Sequence, residues 1–154
     1  SKEKGDEKNQ TLAKASEAVT LYLGADNKVY YFMGEPDLTT PNFLKSTTYA
    51  ADGLRALILN KNRKAVTQVN ELKDKKLRMQ ITQEQYDKEL SKIKVQDGTP
   101  TVIIKPLDNS NYDNLVSALD EMLITSVGKY AITEVDENDK KMLTNSGVDF
   151  AVKK

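Results

Sequence analysis

Side chains suited to acid, base or nucleophilic chemistry are few in this chain of 154 residues. It contains no Cys and no His, which excludes thiol nucleophiles, Ser–His catalysis and most zinc or copper sites. Catalysis by two carboxylates requires acids that face each other, but Asp120 and Glu121 are consecutive on a predicted helix and diverge. We therefore interpret this pair as part of a solvated helix face.

The remaining polar positions give weak signals. The segment DENDKKML carries Asp136, Glu137 and Asp139, but it lacks the central Gly and the final bidentate Glu of a calcium-binding loop. Lys105 precedes Pro106 at the end of a predicted strand, where open α/β sheets often place ligand-binding groups. The sequence contains no Gly-rich phosphate loop and no evident set of nucleophile, base and oxyanion donor. We expect a protein that is not an enzyme and has no metal or cofactor.

Composition limits the classes of partner. Acidic and basic residues number 23 each, so no overall charge attracts nucleic acid or an acidic membrane. Apolar residues make up 38% and charged residues 30%, which is polar for a globule and indicates some solvated helix or tail. No apolar run approaches the roughly 18 to 20 residues that span a bilayer.

The N-terminal part of the domain predicts an antiparallel hairpin followed by helices. VTLYLG (19–24) and KVYYFMG (28–34) are strands around a polar turn, and residues 35–49, with two prolines, are a loop. A helical period begins near residue 51, and Thr82 stands at capping-box spacing before Gln85 at the start of a second helix. Residues 51–95 thus predict a helical-hairpin insert, whose thin apolar stripe either contacts the core or docks a partner helix.

The clearest pattern lies between residues 101 and 135. TVIIKPL (101–107) predicts an apolar strand. The polar segment 108–111 is expected to cap the next helix, with Ser110 three residues before Asp113. The apolar side of that helix consists of Leu115, Val116, Leu119, Met122 and Leu123. Gly128 ends the helix, and KYAITEV (129–135) predicts a strand. This order predicts a βαβ unit with parallel strands and a right-handed connection.

The C-terminal segment predicts a helix and one more strand. DENDKKML has acidic residues first and two lysines near its end, as the helix dipole favours. VDFAV (148–152) predicts a strand at the edge of the sheet, in which Val148, Phe150 and Val152 alternate. We expect this edge strand to pair with a second copy or with a partner. The predicted class is α+β: a small mixed β-sheet with a βαβ unit, helices packed on one face, and the helical-hairpin insert.

The segment GTPTVIIKPLDNSNYDNLVSALDEMLITSVGKYAITEV resembles the periplasmic domain of ExbD/TolR-family biopolymer transport proteins. The resemblance rests on the strand 102–105, on the strand start 128–132, and on Tyr112, Leu115, Val116, Leu119, Asp120 and Met122. The hairpin VTLYLGADNKVYYFMG resembles the first two strands of that domain. The insert NRKAVTQVNELKDKKLRMQITQEQYDKELSKIK is similar to that of Bacteroidetes-type ExbD sequences, and it is longer than in the shortest family members.

The resemblance implies a single-pass inner-membrane protein whose periplasmic domain is this chain. With an ExbB/TolQ-like proton channel, such a protein couples the proton-motive force to a TonB- or TolA-like periplasmic protein. That coupling drives TonB-dependent transport across the outer membrane, or envelope maintenance in a TolR-like component. It also implies a homodimer. The family's proton-carrying Asp lies in its transmembrane helix, so no Asp of this chain is given that role.

Two further expectations concern organisation. The charged start SKEKGDEK indicates that residues 1–18 are a flexible tether following an omitted transmembrane anchor, with residues 19–154 as the domain. A residual tag on a complete cytosolic protein is the alternative. A rival function is a periplasmic module that binds a small ligand or peptidoglycan near Lys105 and Pro106, which an apolar pocket with converging polar groups would favour.

Overall fold

A five-stranded mixed sheet organises residues 17–151, which are the residues that the computed structural model describes. Its strands are β1 (Ala18–Leu23), β2 (Lys28–Met33), β3 (Lys45–Thr48), β4 (Thr101–Pro106) and β5 (Lys129–Ile132). The order is β3-β2-β1-β4-β5. The three N-terminal strands pair antiparallel, whereas β4 is parallel to both β1 and β5.

Five helices accompany the sheet within the described residues: α1 (Ala56–Lys61), α2 (Arg63–Leu77), α3 (Gln83–Val95), α4 (Tyr112–Ile124) and α5 (Glu137–Asn145). The predicted α+β class is confirmed, with the predicted hairpin β1–β2, the helical hairpin α2–α3 and the βαβ unit β4–α4–β5. Residues 1–16 of the predicted tether lie outside the described part of the chain.

Strand β1 alternates between two cores because successive side chains of a strand point to opposite faces. Val19, Leu21 and Leu23 face the main core, while Tyr22 faces a second one. The main core also takes Val29, Leu54, Ile58, Val102, Ile104, Ala118, Met122 and Val127. It is thus closed by α1 and α4, the two helices that fulfil the prediction of helices on one face.

The opposite face of the sheet is covered by α5. Met142 and Leu143 of this helix pack with Tyr22, Phe32 and Leu107 in the second core. Asp136 caps the helix, since its side chain accepts a hydrogen bond from the Asp139 amide at 2.8 Å. A helix with acidic residues at its start was predicted for this segment, but its position on the opposite face of the sheet was not predicted.

The predicted strand 148–152 is wrong for the residues that the structure describes, since none is found between Gly147 and Ala151. Gly147 has a φ of +68° and ends α5 in a turn in which the Val148 amide donates to the Leu143 carbonyl at 2.9 Å. Val148 is then buried in the second core, and Phe150 packs against it. Val152 lies outside the described residues.

Two smaller predictions are also corrected. Residues 45–48, predicted as loop, form β3, because β-branched Thr47 and Thr48 pair with β2 at an edge that needs no apolar face. The predicted segment 108–111 does cap α4, but the capping residue within it is Asn111 rather than Ser110: the Asn111 side chain accepts a hydrogen bond from the Asn114 amide at 2.9 Å. The Ser110 hydroxyl instead donates to the Leu107 carbonyl at 2.7 Å.

Helices α2 and α3 form an arm (residues 63–95) with an apolar cluster of their own. Ala65, Val69, Leu72 and Ile93 are buried in it. The predicted capping box of α3 is present, with Thr82 Oγ1 accepting from the Gln85 amide at 3.1 Å. At the base, the Asn62 side chain donates to the Thr125 carbonyl at 2.9 Å, which ties the start of the arm to the end of α4.

Gly128 is expected to be intolerant of any larger residue, because the turn before β5 lies against the end of α3. A Cβ there would stand 2.7 Å from both the Cβ and the carbonyl oxygen of Lys94. We expect Gly128→Ala to lower the free energy of unfolding by about 1–3 kcal/mol, and Gly128→Val to lower it further. Urea unfolding of the three proteins tests this, and equal midpoints would contradict the close packing.

Candidate functional site

The two edges of the sheet differ in chemistry. Strand β3 reads Lys-Ser-Thr-Thr and exposes polar side chains, the composition that natural edge strands use against unwanted pairing. Strand β5 at the other edge exposes two large apolar side chains, with Tyr130 48% and Ile132 49% exposed. An open edge with apolar side chains is typical of a surface that pairs with another chain.

Within residues 17–151, no strand pairs with the outer side of β5. The Thr133 amide donates to the Ile104 carbonyl at 2.9 Å, so the odd-numbered residues of β5 bond to β4. In a parallel ladder the alternate residues point the other way, which leaves the amides and carbonyls of Tyr130 and Ile132 directed outward. Pro106 has no N–H to offer to β5, and this ends the ladder before the predicted limit of residue 135.

Helix α4 continues the apolar surface. Its exposed stripe contains Tyr112 (76% exposed), Val116 and Leu123 (73% exposed), which are spaced as neighbours along one side of a helix. The opposite side of the helix carries Asn114 and Glu121, which contact the β1–β2 turn and the segment before α1. The apolar stripe therefore faces the β5 side.

Tyr130 and Ile132 lie on the same face of the sheet as α4, because their ladder partners Val102 and Ile104 belong to the main core. We name the combined area the β5–α4 surface; it comprises Tyr112, Val116, Leu123, Tyr130 and Ile132. Val116 and Leu123 were predicted on the same apolar side of α4 as Met122, but they are exposed whereas Met122 is buried. The alternation of side chains in KYAITEV places Tyr130 and Ile132 on one face of the strand. It does not show that β5 lies at the edge of the sheet.

The orientation of α4 is fixed by a partly buried ion pair, in which the Arg55 side chain is 36% exposed. The Arg55 guanidinium donates to both carboxylate oxygens of Glu121, at 3.0 Å each, and Glu121 is only 6% exposed. A bidentate pair of this kind is directional as well as attractive. The prediction that Glu121 belongs to a solvated face is thus wrong, because that side of α4 meets the segment before α1.

The second polar cluster surrounds Asp139 under α5. Its carboxylate accepts from the Tyr22 hydroxyl and from Lys105 Nζ, each at 2.5 Å, and all three side chains are largely buried. Burial alone would raise the pKa of Asp139, but hydrogen bonds from the Asp136 amide, Lys105 and Tyr22 outweigh it and hold the pKa below its usual value. Burial and the adjacent carboxylate raise the pKa of Tyr22.

The rival ligand site was predicted beside Lys105 and Pro106, and a groove of about 620 Å³ does lie beside Pro106. Its walls include Leu107, Val135 and Phe150. Lys105 is not part of it, because its ammonium group points to Asp139. Lys140, the basic side chain at its rim, contacts Glu137 at 3.2 Å. The groove thus combines apolar walls with the acidic residues Asp108 and Glu134, and it has no unpaired basic side chain in its lining.

Comparisons with protein-family models, with curated proteins and with solved structures found no match. Within residues 17–151, no helix has both the length and the apolar character needed to span a bilayer. The same residues contain no group of three acidic side chains placed to hold a metal ion.

Asp139→Asn is expected to destabilise the fold at neutral pH by about 3–5 kcal/mol, because Lys105 then remains buried without its counter-ion. The pKa of Asp139 is lower in the folded state than in the unfolded state. Its carboxylate therefore stabilises the fold above the unfolded-state pKa, near 4, and this stabilisation is lost as the pH falls through the folded-state pKa. Urea unfolding from pH 7 to acid should therefore show a smaller acid-induced loss in the variant than in the original chain.

The triple variant Tyr22→Phe, Lys105→Met and Asp139→Leu is the control, since it removes both charges and also the buried hydroxyl that would otherwise lose its acceptor. It should recover most of the stability lost in Asp139→Asn. Equal acid sensitivity of the original chain and the Asn variant would contradict the proposed role of the carboxylate.

Proposed function

We propose that this chain is a non-catalytic interaction domain, the periplasmic part of an ExbD-like inner-membrane component. In this proposal the component works with a proton channel and couples the proton-motive force to TonB-dependent transport, or to envelope maintenance in a TolR-like system. The sequence resemblance supports the family. The observation that carries an interaction function is the β5–α4 surface, where an open strand edge and exposed apolar side chains coincide.

The occupant that this surface fits best is a second copy of the chain. In a two-fold antiparallel pair the same patch serves both copies, and residues with outward-directed backbone groups must lie opposite each other. Placing Ala131 on the two-fold axis satisfies this condition. Tyr130 of each copy then faces Ile132 of the other, an aromatic–β-branched pair of the kind that stabilises sheets. The small Ala131 allows close approach at the centre.

The groove beside Pro106 is the observation that favours the rival, a small-ligand or peptidoglycan-binding module. It is weaker support, because the one cation predicted to serve that ligand, Lys105, is committed to Asp139. Apolar walls at Leu107, Val135 and Phe150 give the groove its shape. Its polar lining is mainly acidic, with Asp108 and Glu134, and its basic residue Lys140 is paired with Glu137.

Oxidative cross-linking tests the pairing directly, since the chain contains no Cys. In the proposed register the two Ala131 Cα atoms are a non-hydrogen-bonded pair about 4.5 Å apart, which is within the span of a disulfide. Ala131→Cys should therefore give a covalent dimer under mild oxidation. Ser46→Cys, on the exposed edge strand β3, is the matched control and should remain monomeric. Equal cross-linking of the two variants would reject the pairing.

Ile132→Glu should weaken self-association roughly hundred-fold, because two apolar contacts per dimer are lost and a carboxylate is placed in each. Ile132 is half exposed in the single copy, so the variant should keep its unfolding midpoint. Val95→Glu makes the same kind of change at another exposed apolar residue and should leave association unchanged. Sedimentation equilibrium measures both, and an unaltered dimer in Ile132→Glu would refute the role of β5.

A further inference from the structure

The tip of the arm exposes two large apolar side chains to solvent. Leu77 ends α2 and is 82% exposed, and Met79 in the following turn is 89% exposed. Met79 adopts a φ of +61°, a left-handed conformation that side-chain-bearing residues adopt infrequently. The turn is closed by hydrogen bonds from the Met79 and Gln80 amides to the carbonyls of Lys76 and Lys75, at 3.0 and 2.9 Å. Nothing in the packing of the arm accounts for an apolar side chain at position 79.

Basic residues surround these apolar side chains. The stretch KDKKLRMQ (73–80) has four basic residues and one acidic residue, in a chain whose formal net charge is zero. Arg78 contacts Asp74 at 3.2 Å, and Lys76 Nζ lies 4.6 Å from the centre of the Tyr86 ring. Lys73 and Lys75 are exposed and belong to no ion pair within residues 17–151. The tip therefore has a local excess of positive charge around the exposed side chains of Leu77 and Met79.

The arm begins and ends at one particular end of the sheet. Strand β4 starts at Thr101, shortly after α3 ends at Val95, and Thr101 pairs with Ala18 at the start of β1. The N-terminal side of the domain and the base of the arm thus share one end of the sheet. Helix α2 has 15 residues, so the arm is about 22 Å long at 1.5 Å per residue.

We infer that the arm tip contacts an anionic phospholipid surface. Leu77 and Met79 enter the interfacial layer, and Lys73 and Lys75 contact the lipid headgroups. An exposed apolar point with flanking lysines is suited to a bilayer interface, which accepts apolar side chains without a shaped pocket. A membrane is favoured over an acidic protein because the N-terminal side of the domain leads to a membrane in the proposed function. In that respect the inference rests on the proposed function.

The absence of tryptophan from the chain makes insertion directly measurable. Met79→Trp places a single indole at the tip, and its emission should shift to the blue with vesicles of phosphatidylcholine and phosphatidylglycerol but not with phosphatidylcholine alone. Asn138→Trp is the matched control, because Asn138 is also exposed but lies at the start of α5, away from the arm and from the β5–α4 surface. Its emission should be unchanged by either kind of vesicle.

The contribution of charge is tested by vesicle co-sedimentation of the full chain. Lys73→Gln with Lys75→Gln should weaken binding to the phosphatidylglycerol vesicles about tenfold or more, since each lysine near an anionic surface contributes appreciably. Lys64→Gln with Lys141→Gln removes the same charge from exposed positions away from the tip and should have little effect. Leu77→Ser should also reduce binding. All four side chains changed in the charge variants are exposed, so folding should be retained.

A lack of spectral shift in Met79→Trp with anionic vesicles would overturn the inference. So would a shift produced by soluble polyglutamate and not by the vesicles, which would indicate an acidic protein as the partner. Equal loss of vesicle binding in the two lysine pairs would overturn it as well, since general charge would then explain binding. Cross-linking of Ala131→Cys is independent of lipid, so failure of the membrane contact is distinguishable from failure of the proposed function.

Discussion

The carboxylate of Asp139 is the point on which the second half of the fold depends. It joins α5 to the central strand β1 through Tyr22 and to β4 through Lys105, and its own amide is held by the Asp136 cap. Three elements that are distant in the sequence therefore meet at one charge. Net stabilisation from such a buried pair is usually small, but loss of one partner is costly. The cluster thus specifies the position of α5 on the sheet, while the apolar contacts of Met142 and Leu143 bury the helix there.

Local patterns were sufficient for most of the elements. The β-rich run of β1, the apolar run of β4, the period of the helices and the spacing of Thr82 and Gln85 are properties of short segments, and the structure confirms the elements that they predicted. The errors concern positions decided by distant residues. Glu121 looks solvated until Arg55 is brought beside it. Val148 looks like part of a strand until the turn at Gly147 directs it into the second core.

The β5–α4 surface also could not be predicted from local sequence patterns. Apolar residues extend around much of α4, so periodicity alone cannot tell which of them meet the sheet and which meet solvent. The answer comes from the neighbours of the helix: Met122 packs inward, whereas Leu123 has no covering element among the described residues. The edge position of β5 is likewise a property of the strand order. Composition excluded several chemistries, but only the three-dimensional arrangement located an open edge.

Pro106 has a consequence for growth of the sheet beyond one molecule. By ending the β4–β5 ladder it keeps β5 to four residues, a length too short to template extensive fibrous stacking. A pair joined through β5 would form a ten-stranded sheet whose two outer strands are both β3, and β3 carries lysine, serine and threonine. Those terminal strands resist further addition, so polymerisation would stop at two molecules. In such a pair only β5 would take part in association, and the assembly would end at the dimer.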